Sequence, residues 1–339
     1  MGLHRLDRDE LCSILSLYHL DGLEDWAELP SGTEHLVYTI QVSGRRYLLR
    51  FSAHRRFADM VFEKELLSHL RRLGLPVPRV VENVASGSFT PWSARGRYVS
   101  LFEDTGGRRL GLFELRTRHA RAIGDFLGRM HRAGETFAED RAIPPVTEAL
   151  AAAWTRVERG LSRPKVRAVV GESVAVFERE LRDQERRRFS PPRTLVHGDL
   201  FVGSARFEGD QLVGVLDFAN AGIGRATWDL AMAVNAWCWE PSVRQKGGPA
   251  GAFGLAKVRG LLSAYEAVRP LSAFEARELA LDLRLAPLFY GLVRVAEHEV
   301  GRSRRPYRDH RHFVARLDAL AGDGATTLVE RAMVASEKV

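Results

Sequence analysis

The sequence is poor in cysteine and has no long hydrophobic run, and each shortage excludes a class of protein. Only Cys12 and Cys238 occur among 339 residues, so a disulfide framework is excluded and a reducing cytoplasm is indicated. No uninterrupted apolar run could cross a bilayer, and residues 1–10 are too charged for a signal peptide. We therefore expect a cytoplasmic protein with no membrane partner.

Lysine is also scarce, since almost all of the 50 basic residues are arginine. The formal net charge is +7, and a basic chain can indicate nucleic-acid binding. However, the positive charges are dispersed among Asp and Glu, and no nucleic-acid-binding motif accompanies them. We expect no nucleic-acid partner, and the sequence leaves the oligomeric state open.

Two acidic residues each follow a short apolar segment that has strand character. Asp199 follows residues 194–196, Asp217 follows residues 212–216, and a hairpin turn signal at 208–211 separates the two segments. Two carboxylates in one cleft repel each other unless a proton or a cation lies between them. A divalent metal bound to phosphate meets this need, whereas two aspartates in separate surface turns would need no such partner. In the first case one acid accepts a hydroxyl proton and the other holds Mg²⁺.

Three motifs in this region carry a family resemblance. His-Gly-Asp-Leu at 197–200, Val-Leu-Asp-Phe at 215–218 and Trp-Asp-Leu-Ala at 228–231 resemble the aminoglycoside phosphotransferase and choline kinase superfamily. Within it, the chain is most similar to the bacterial homoserine kinases, from about residue 18 to about residue 320. The resemblance implies a protein-kinase-like fold, with the hydroxyl of a small molecule as the phosphoryl acceptor.

The implied fold is of the α+β class and has two lobes. Residues 1–103 would form a small nucleotide-binding lobe with an antiparallel sheet and one helix, and residues 104–339 a larger, mainly helical lobe for catalysis and substrate binding. Hydrophobic periodicity and turn signals agree with this division. They predict strands at 26–29, 38–42, 46–51 and 97–102, and helices at 7–20, 57–73, 115–131, 146–157, 166–188, 228–238, 255–267, 273–284, 287–299 and 313–320.

The resemblance also implies roles for individual residues. Asp199 would accept or orient the proton of the acceptor hydroxyl, while Asp217 and Ser204 would hold Mg²⁺. Arg50, paired with Glu63, would position the phosphates of ATP.

Further residues are expected at the nucleotide and at the acceptor. His197 and Asp229 would hold the backbone of the catalytic loop. The nucleotide lid would be formed by Ser31, Gly32 and Thr33, and the candidate acceptor contacts are Asn235, Trp237 and Glu240. For Trp237, packing in the core is the competing interpretation.

Three departures from the family pattern lie on the nucleotide side. Arg50 stands where the family has a strand lysine, because the only lysine before residue 165 is Lys64. The planar arginine side chain binds phosphate differently from a point-charge ammonium. Ser204 replaces a metal-binding asparagine with a shorter side chain. Residues 35–37, His-Leu-Val, follow the lid where homoserine kinases carry small polar residues.

The sequence therefore predicts a kinase that transfers the γ-phosphoryl group of ATP to a small metabolite. By resemblance, the acceptor is L-homoserine, and the product is O-phospho-L-homoserine for threonine synthesis. Two alternatives stay open. One is another acceptor, such as an amino alcohol or an aminoglycoside, and the other is a catalytically impaired, nucleotide-binding regulatory protein, which the three departures suggest.

Overall fold

In the computed structural model, the chain divides into two compact units. One comprises Met1–Arg108 and Val213–Ala219, and the other Arg109–Leu212 and Asn220–Val339. Asp217 thus belongs to the first unit, as part of a short segment, Val213–Ala219, whose flanking segments both belong to the second. The described residues are 6–29, 35–52, 55–83, 90–92, 97–138, 141–142, 146–185, 193–242, 249–297 and 309–333.

The first unit contains an antiparallel sheet of six strands in its described residues. The strand order is β1-β2-β3-β6-β4, and β5 pairs with β6. Ser43 and Gly44 both have positive φ, 50° and 70°, as the tight turn between β2 and β3 requires. The predicted strands of this lobe are confirmed, and the observed ones are β1 (Leu23–Leu29), β2 (His35–Val42), β3 (Arg45–Ser52), β4 (Val80–Val81), β5 (Thr90–Trp92) and β6 (Arg97–Glu103).

Within the described residues, two helices accompany this sheet. The first, α1 (Arg8–Ser16), begins at a capping box in which Asp7 and Glu10 satisfy each other's backbone amides. It ends earlier than predicted, and His19, which has a φ of 53°, lies in the turn that follows. The second, α2 (Phe57–Arg72), agrees with its prediction and carries Glu63 on its buried face.

The second unit is mainly helical. Its helices are α3 (Thr117–Ala133), α4 (Val146–Gly160), α5 (Pro164–Glu185), α6 (Ala226–Trp237), α7 (Leu255–Glu266), α8 (Ala273–Val295), α9 (Arg311–Ala319) and α10 (Gly324–Met333). Its short strands are β7 (Arg193–Val196), β8 (Ala205–Glu208), β10 (Gly222–Arg225), β11 (Trp239–Pro241) and β12 (Gly251–Phe253), and β9 (Gln211–Val215) crosses the unit boundary. No helix in the described part of the chain is long and apolar enough to cross a membrane.

Helix α8 is continuous, so the prediction of two helices, 273–284 and 287–299, is wrong. Proline usually ends or kinks a helix, because it provides no N–H group for the carbonyl four residues earlier. In the structure, Asn235 Nδ2 donates to the carbonyl oxygen of Leu283 at 3.1 Å. A side chain from α6 therefore replaces the backbone donor that the proline lacks, and α8 extends across it to Val295.

This replacement predicts that Asn235 and Pro287 are energetically coupled. Asn235→Ala should lower the free energy of unfolding by about 1–3 kcal/mol, because the buried Leu283 carbonyl loses its donor. In a Pro287→Ala background, the new backbone N–H can reach this carbonyl, so the same change should cost about 1 kcal/mol less. Urea unfolding of the four variants measures both values, and an equal cost in the two backgrounds would contradict the account.

Candidate active site

The loop that carries Asp199 is held by the side chain of Asp229. The two carboxylate oxygens of Asp229, on α6, accept hydrogen bonds from the backbone N–H groups of His197 at 2.6 Å and Gly198 at 2.8 Å. Asp229 is fully buried, so these charge-assisted bonds are protected from water. Nε2 of the buried His131 lies 3.3 Å from the same carboxylate. The anchoring role expected for Asp229 is confirmed by this geometry.

The rest of this loop is equally constrained. Gly198 has a φ of 80°, and a Cβ atom there would lie 2.4 Å from the carbonyl oxygen of Asn220, so only glycine fits. His197 Nδ1 accepts from the backbone N–H of Asp199 at 3.3 Å, which agrees with a role in holding the loop. Trp237 Nε1 donates to the carbonyl oxygen of Leu200 at 3.1 Å. The backbone around Asp199 is therefore fixed before any substrate binds.

The carboxylate of Asp199 is itself held by Tyr290. The Tyr290 hydroxyl, on α8, donates to Asp199 Oδ1 at 2.8 Å. Burial and the Asp199 carboxylate raise the pKa of Tyr290, so the hydroxyl keeps its proton and acts as the donor. The ring meets Phe201 edge-on at 4.9 Å and stacks on Phe313 at 5.9 Å. Sequence analysis missed Tyr290 because it follows Asp199 by 91 residues and lies in no recognised motif.

Ser204, the candidate metal ligand of this unit, lies close to Asp199. Its Oγ atom donates to the carbonyl oxygen of Asp199 at 3.4 Å, and the residue is buried. Because a hydroxyl that donates its proton still has lone pairs, its oxygen can also face a cation. Metal ligation by Ser204 together with Asp217 stays a prediction.

In the first unit, the expected pair of Arg50 and Glu63 is present. Arg50 Nη1 and Nη2 donate to the two oxygens of Glu63 at 2.8 Å and 2.6 Å, and both side chains are buried. Arg55, which the sequence analysis missed, also donates to Glu63. The guanidinium of Arg50 lies 4.9 Å from the centroid of the Phe102 ring. A bidentate arginine thus occupies the position of the family's lysine, and its contact with phosphate stays a prediction.

These contacts alter the acidity of Glu63. Burial alone raises the pKa of this carboxyl group, but the charges and hydrogen bonds of Arg50 and Arg55 prevail and lower it to about 2. Glu63 is therefore ionised throughout the physiological range.

Asp217 belongs to the same unit as Arg50. Its φ is 68°, a left-handed conformation that is uncommon for a residue with a side chain and is often found at functional sites. The preceding strand is held by a 2.7 Å hydrogen bond from the Val215 N–H to the carbonyl oxygen of Pro76. The pKa of Arg50 is raised overall: burial lowers it, but the charge and hydrogen bonds of Glu63 outweigh that effect. The charge of Asp217 also raises the pKa of Arg50. The convergence of Asp217 with Asp199 stays a prediction.

The remaining predicted site residues have different positions. The lid residues Ser31, Gly32 and Thr33 lie outside the described residues. Asn235 and Trp237 are only 5% and 1% exposed. Their side chains donate to the backbone of α8 and of the loop that carries Asp199, and their contact with the acceptor stays a prediction. Glu240 is half exposed and pairs with Lys257 at 3.1 Å.

The sequence of this chain matches a known family over most of its length. Residues 25–271 match the model of the phosphotransferase enzyme family, known as APH. The chain belongs to this family and is a small-molecule kinase with a protein-kinase-like fold. This assignment favours an enzyme over the regulatory, catalytically impaired alternative.

Individual relatives agree with the family assignment. The homoserine kinase of Methylobacterium nodulans is 29% identical to this chain over 85% of each protein. The homoserine kinase of Afipia carboxidovorans is 30% identical over 85% of this chain and 84% of its own. An amicoumacin kinase, solved with AMP-PNP and Ca²⁺, has a TM-score of 0.63 at 15% identity, covering 95% of this chain and 94% of its own. At this identity the structural likeness shows the fold alone.

The Glu63 ion pairs predict a stability difference that depends on pH. Because the pKa of Glu63 falls from 4.5 to about 2 on folding, its stabilisation is complete above pH 4.5 and is lost as the pH falls toward 2. Glu63→Gln should lower the free energy of unfolding by about 3–5 kcal/mol at pH 7, because Arg50 loses its buried counter-charge. The difference from wild type should shrink below pH 4.5.

Urea unfolding between pH 7 and pH 3 measures this difference. Glu65→Gln is the matched control, since Glu65 lies on the same helix and its side chain is 46% exposed, and it should change stability by less than about 0.5 kcal/mol. A Glu63→Gln effect of the same size at every pH would contradict the assigned ion pairs.

Proposed function

We propose that this kinase transfers the γ-phosphoryl group of ATP to the hydroxyl of L-homoserine, giving O-phospho-L-homoserine for threonine synthesis. The observation that carries the choice of acceptor is the similarity to homoserine kinases over about 85% of both chains. The hydrogen bond between Tyr290 and Asp199 supports the proposal that the acceptor hydroxyl binds at Asp199.

In this proposal Asp199 accepts or orients the proton of the acceptor hydroxyl. Tyr290 holds one carboxylate oxygen, and Asp229 holds the backbone of the loop, so the acid is oriented in advance. Phosphoryl transfer is accelerated mainly by positioning of the reacting groups and by stabilisation of charge. A pre-oriented acid contributes to the positioning.

The donor groups of the chain fit ATP with Mg²⁺. Asp217 and Ser204 offer the hard oxygen ligands that Mg²⁺ prefers. Among the described residues, no cluster of three His, Cys, Asp or Glu side chains could hold a metal ion, so phosphate oxygens would complete the coordination. When bound, the metal neutralises charge on the phosphates. Arg50 Nε is buried without a hydrogen-bond partner among the described residues, which suits a role beside a phosphate oxygen.

A coupled ADP-release assay with L-homoserine, choline and an aminoglycoside tests the proposed acceptor. We expect Mg²⁺-dependent ADP release with L-homoserine and a product whose mass is that of the phosphate ester. Turnover with choline or the aminoglycoside alone would refute the acceptor, and no turnover with any of the three would refute the proposed reaction.

Replacement of the proposed acid gives a second test. Asp199→Asn should lower kcat by about 10²- to 10⁴-fold, because the amide cannot accept the hydroxyl proton. The affinity for ATP, measured by calorimetry, should stay close to that of wild type. Asp210→Asn is the control, since Asp210 is an exposed aspartate in the turn after β8, and it should keep wild-type kcat. An unaltered kcat in Asp199→Asn would contradict the role of this acid.

A further inference from the structure

Two arginines lie close to one aromatic ring that contacts a residue of the candidate active site. The guanidinium carbon of Arg294, on α8, lies 5.1 Å from the centroid of the Phe313 ring, and that of Arg316, on α9, lies 5.4 Å from it. Phe313 in turn stacks on Tyr290, which donates to Asp199. The two positive charges are therefore one aromatic ring away from the residue that holds the catalytic carboxylate.

Arg316 is a buried cation without a carboxylate partner in the described part of the chain. It is 8% exposed, and its hydrogen bonds go to the backbone carbonyl oxygens of Asn235, at 3.1 Å, and His312. Burial lowers the pKa of Arg316 to about 9, and the charge of Arg294 adds to this fall. A buried charge is costly unless an opposite charge compensates it.

Several other shielded arginines of this protein differ from Arg316 in having an acidic partner. Three of their ion pairs measure between 2.6 Å and 2.8 Å and join side chains that are at most 18% exposed. The pairs are Arg50 with Glu63, Arg269 with Glu275, and Arg284 with Glu180. Arg316 therefore lacks the carboxylate partner that these other arginines have, and an anionic ligand would neutralise its charge.

The spacing along α8 relates these arginines to Asp199. Tyr290 and Arg294 are four residues apart, so they lie on the same face of the helix, about one turn of 5.4 Å from each other. Arg294 is only partly buried and is near enough to Tyr290 to oppose the rise in its pKa. One helical turn therefore separates the residue that holds Asp199 from the first of the two arginines. A four-carbon hydroxy amino acid has about this length between its hydroxyl oxygen and its carboxylate carbon.

We propose that Arg294 and Arg316 form a subsite for the carboxylate of the acceptor, with the acceptor hydroxyl at Asp199. The subsite selects a hydroxy amino acid over an amino alcohol or an amino sugar, since these have no carboxylate. This inference rests on the proposed function, because it assigns the phosphoryl acceptor to the Asp199 site. Arginine suits the role, since its planar group can bind both oxygens of a carboxylate.

Paired acceptors test this subsite. L-Homoserine and 3-aminopropan-1-ol differ only in the carboxylate, and their kcat/KM values can be compared in the ADP-release assay. For wild type we expect L-homoserine to be favoured by about 100-fold or more, because a site built for a polar group rejects a ligand that lacks it. Arg294→Gln should raise the KM for L-homoserine by about 10- to 100-fold and leave kcat/KM for 3-aminopropan-1-ol unchanged.

Arg277→Gln is the matched control, because it makes the same chemical change at an exposed position of the same helix. This control should keep the wild-type ratio between the two acceptors. Equal losses for both acceptors in Arg294→Gln would overturn the subsite, and so would a wild-type enzyme that does not distinguish them.

A binding measurement separates this inference from the proposed function. Calorimetry without nucleotide compares L-homoserine with its carboxamide, in which a neutral group of the same shape replaces the carboxylate. Suppose that wild type phosphorylates neither L-homoserine nor 3-aminopropan-1-ol but binds L-homoserine more tightly than its carboxamide. If Arg294→Gln abolishes that preference, the subsite stands and the proposed reaction fails. If wild type phosphorylates L-homoserine but has no preference in binding or turnover, the reaction stands and the subsite fails. If it neither phosphorylates nor discriminates, both fail.

Discussion

The hydrogen bond from the Tyr290 hydroxyl to Asp199 joins the loop of residues 197–201 to helix α8, and the packing of the second unit brings these two groups together. On the loop side, the buried Asp229 carboxylate holds the backbone of residues 197 and 198. On the helix side, α8 must pass Pro287 before it reaches Tyr290. The Asn235 side chain makes this passage possible, because it supplies the hydrogen bond that the proline cannot. Helix α6 carries both Asp229 and Asn235, so one buried helix positions both partners.

The first unit illustrates how a family feature can be rebuilt from a different side chain. Kinases of this fold pair a strand lysine with a helix glutamate, and here an arginine occupies the strand position. The substitution is accommodated because Arg50 forms two hydrogen bonds to Glu63 and stacks on Phe102. Arg55 shares the same carboxylate and helps to keep it ionised. The departure from the family pattern therefore preserves the positive charge next to a fixed, ionised carboxylate.

Local sequence signals were sufficient for much of the fold. The turn at Ser43 and Gly44 and the capping box of α1 depend on neighbouring residues, and the sequence displays them directly. Motif resemblance indicated the pair of Arg50 and Glu63, which the structure contains.

The errors arose where distant residues decide the outcome. The sequence predicted two helices where α8 is continuous, because a side chain from another helix supplies the hydrogen bond that Pro287 cannot. The sequence does not display the hydrogen bonds by which Asn235 and Trp237 join α6 to α8 and to the loop that carries Asp199, because each partner lies more than 30 residues away. Tyr290 has no local signal, since its role exists only when α8 packs beside the catalytic loop. Long-range packing of this kind is visible only in three dimensions.

The proposed orientation of Asp199 by Tyr290 for proton transfer is tested most directly by the pH dependence of kcat in Tyr290→Phe. A hydrogen bond to a carboxylate favours its charged form, so losing this bond should shift the acidic limb of the kcat profile to higher pH. We predict this shift together with a fall in kcat of about tenfold or more, as expected for a bond to a charged group worth about 1.5–3 kcal/mol. An acidic limb and a kcat that both match wild type would contradict the account.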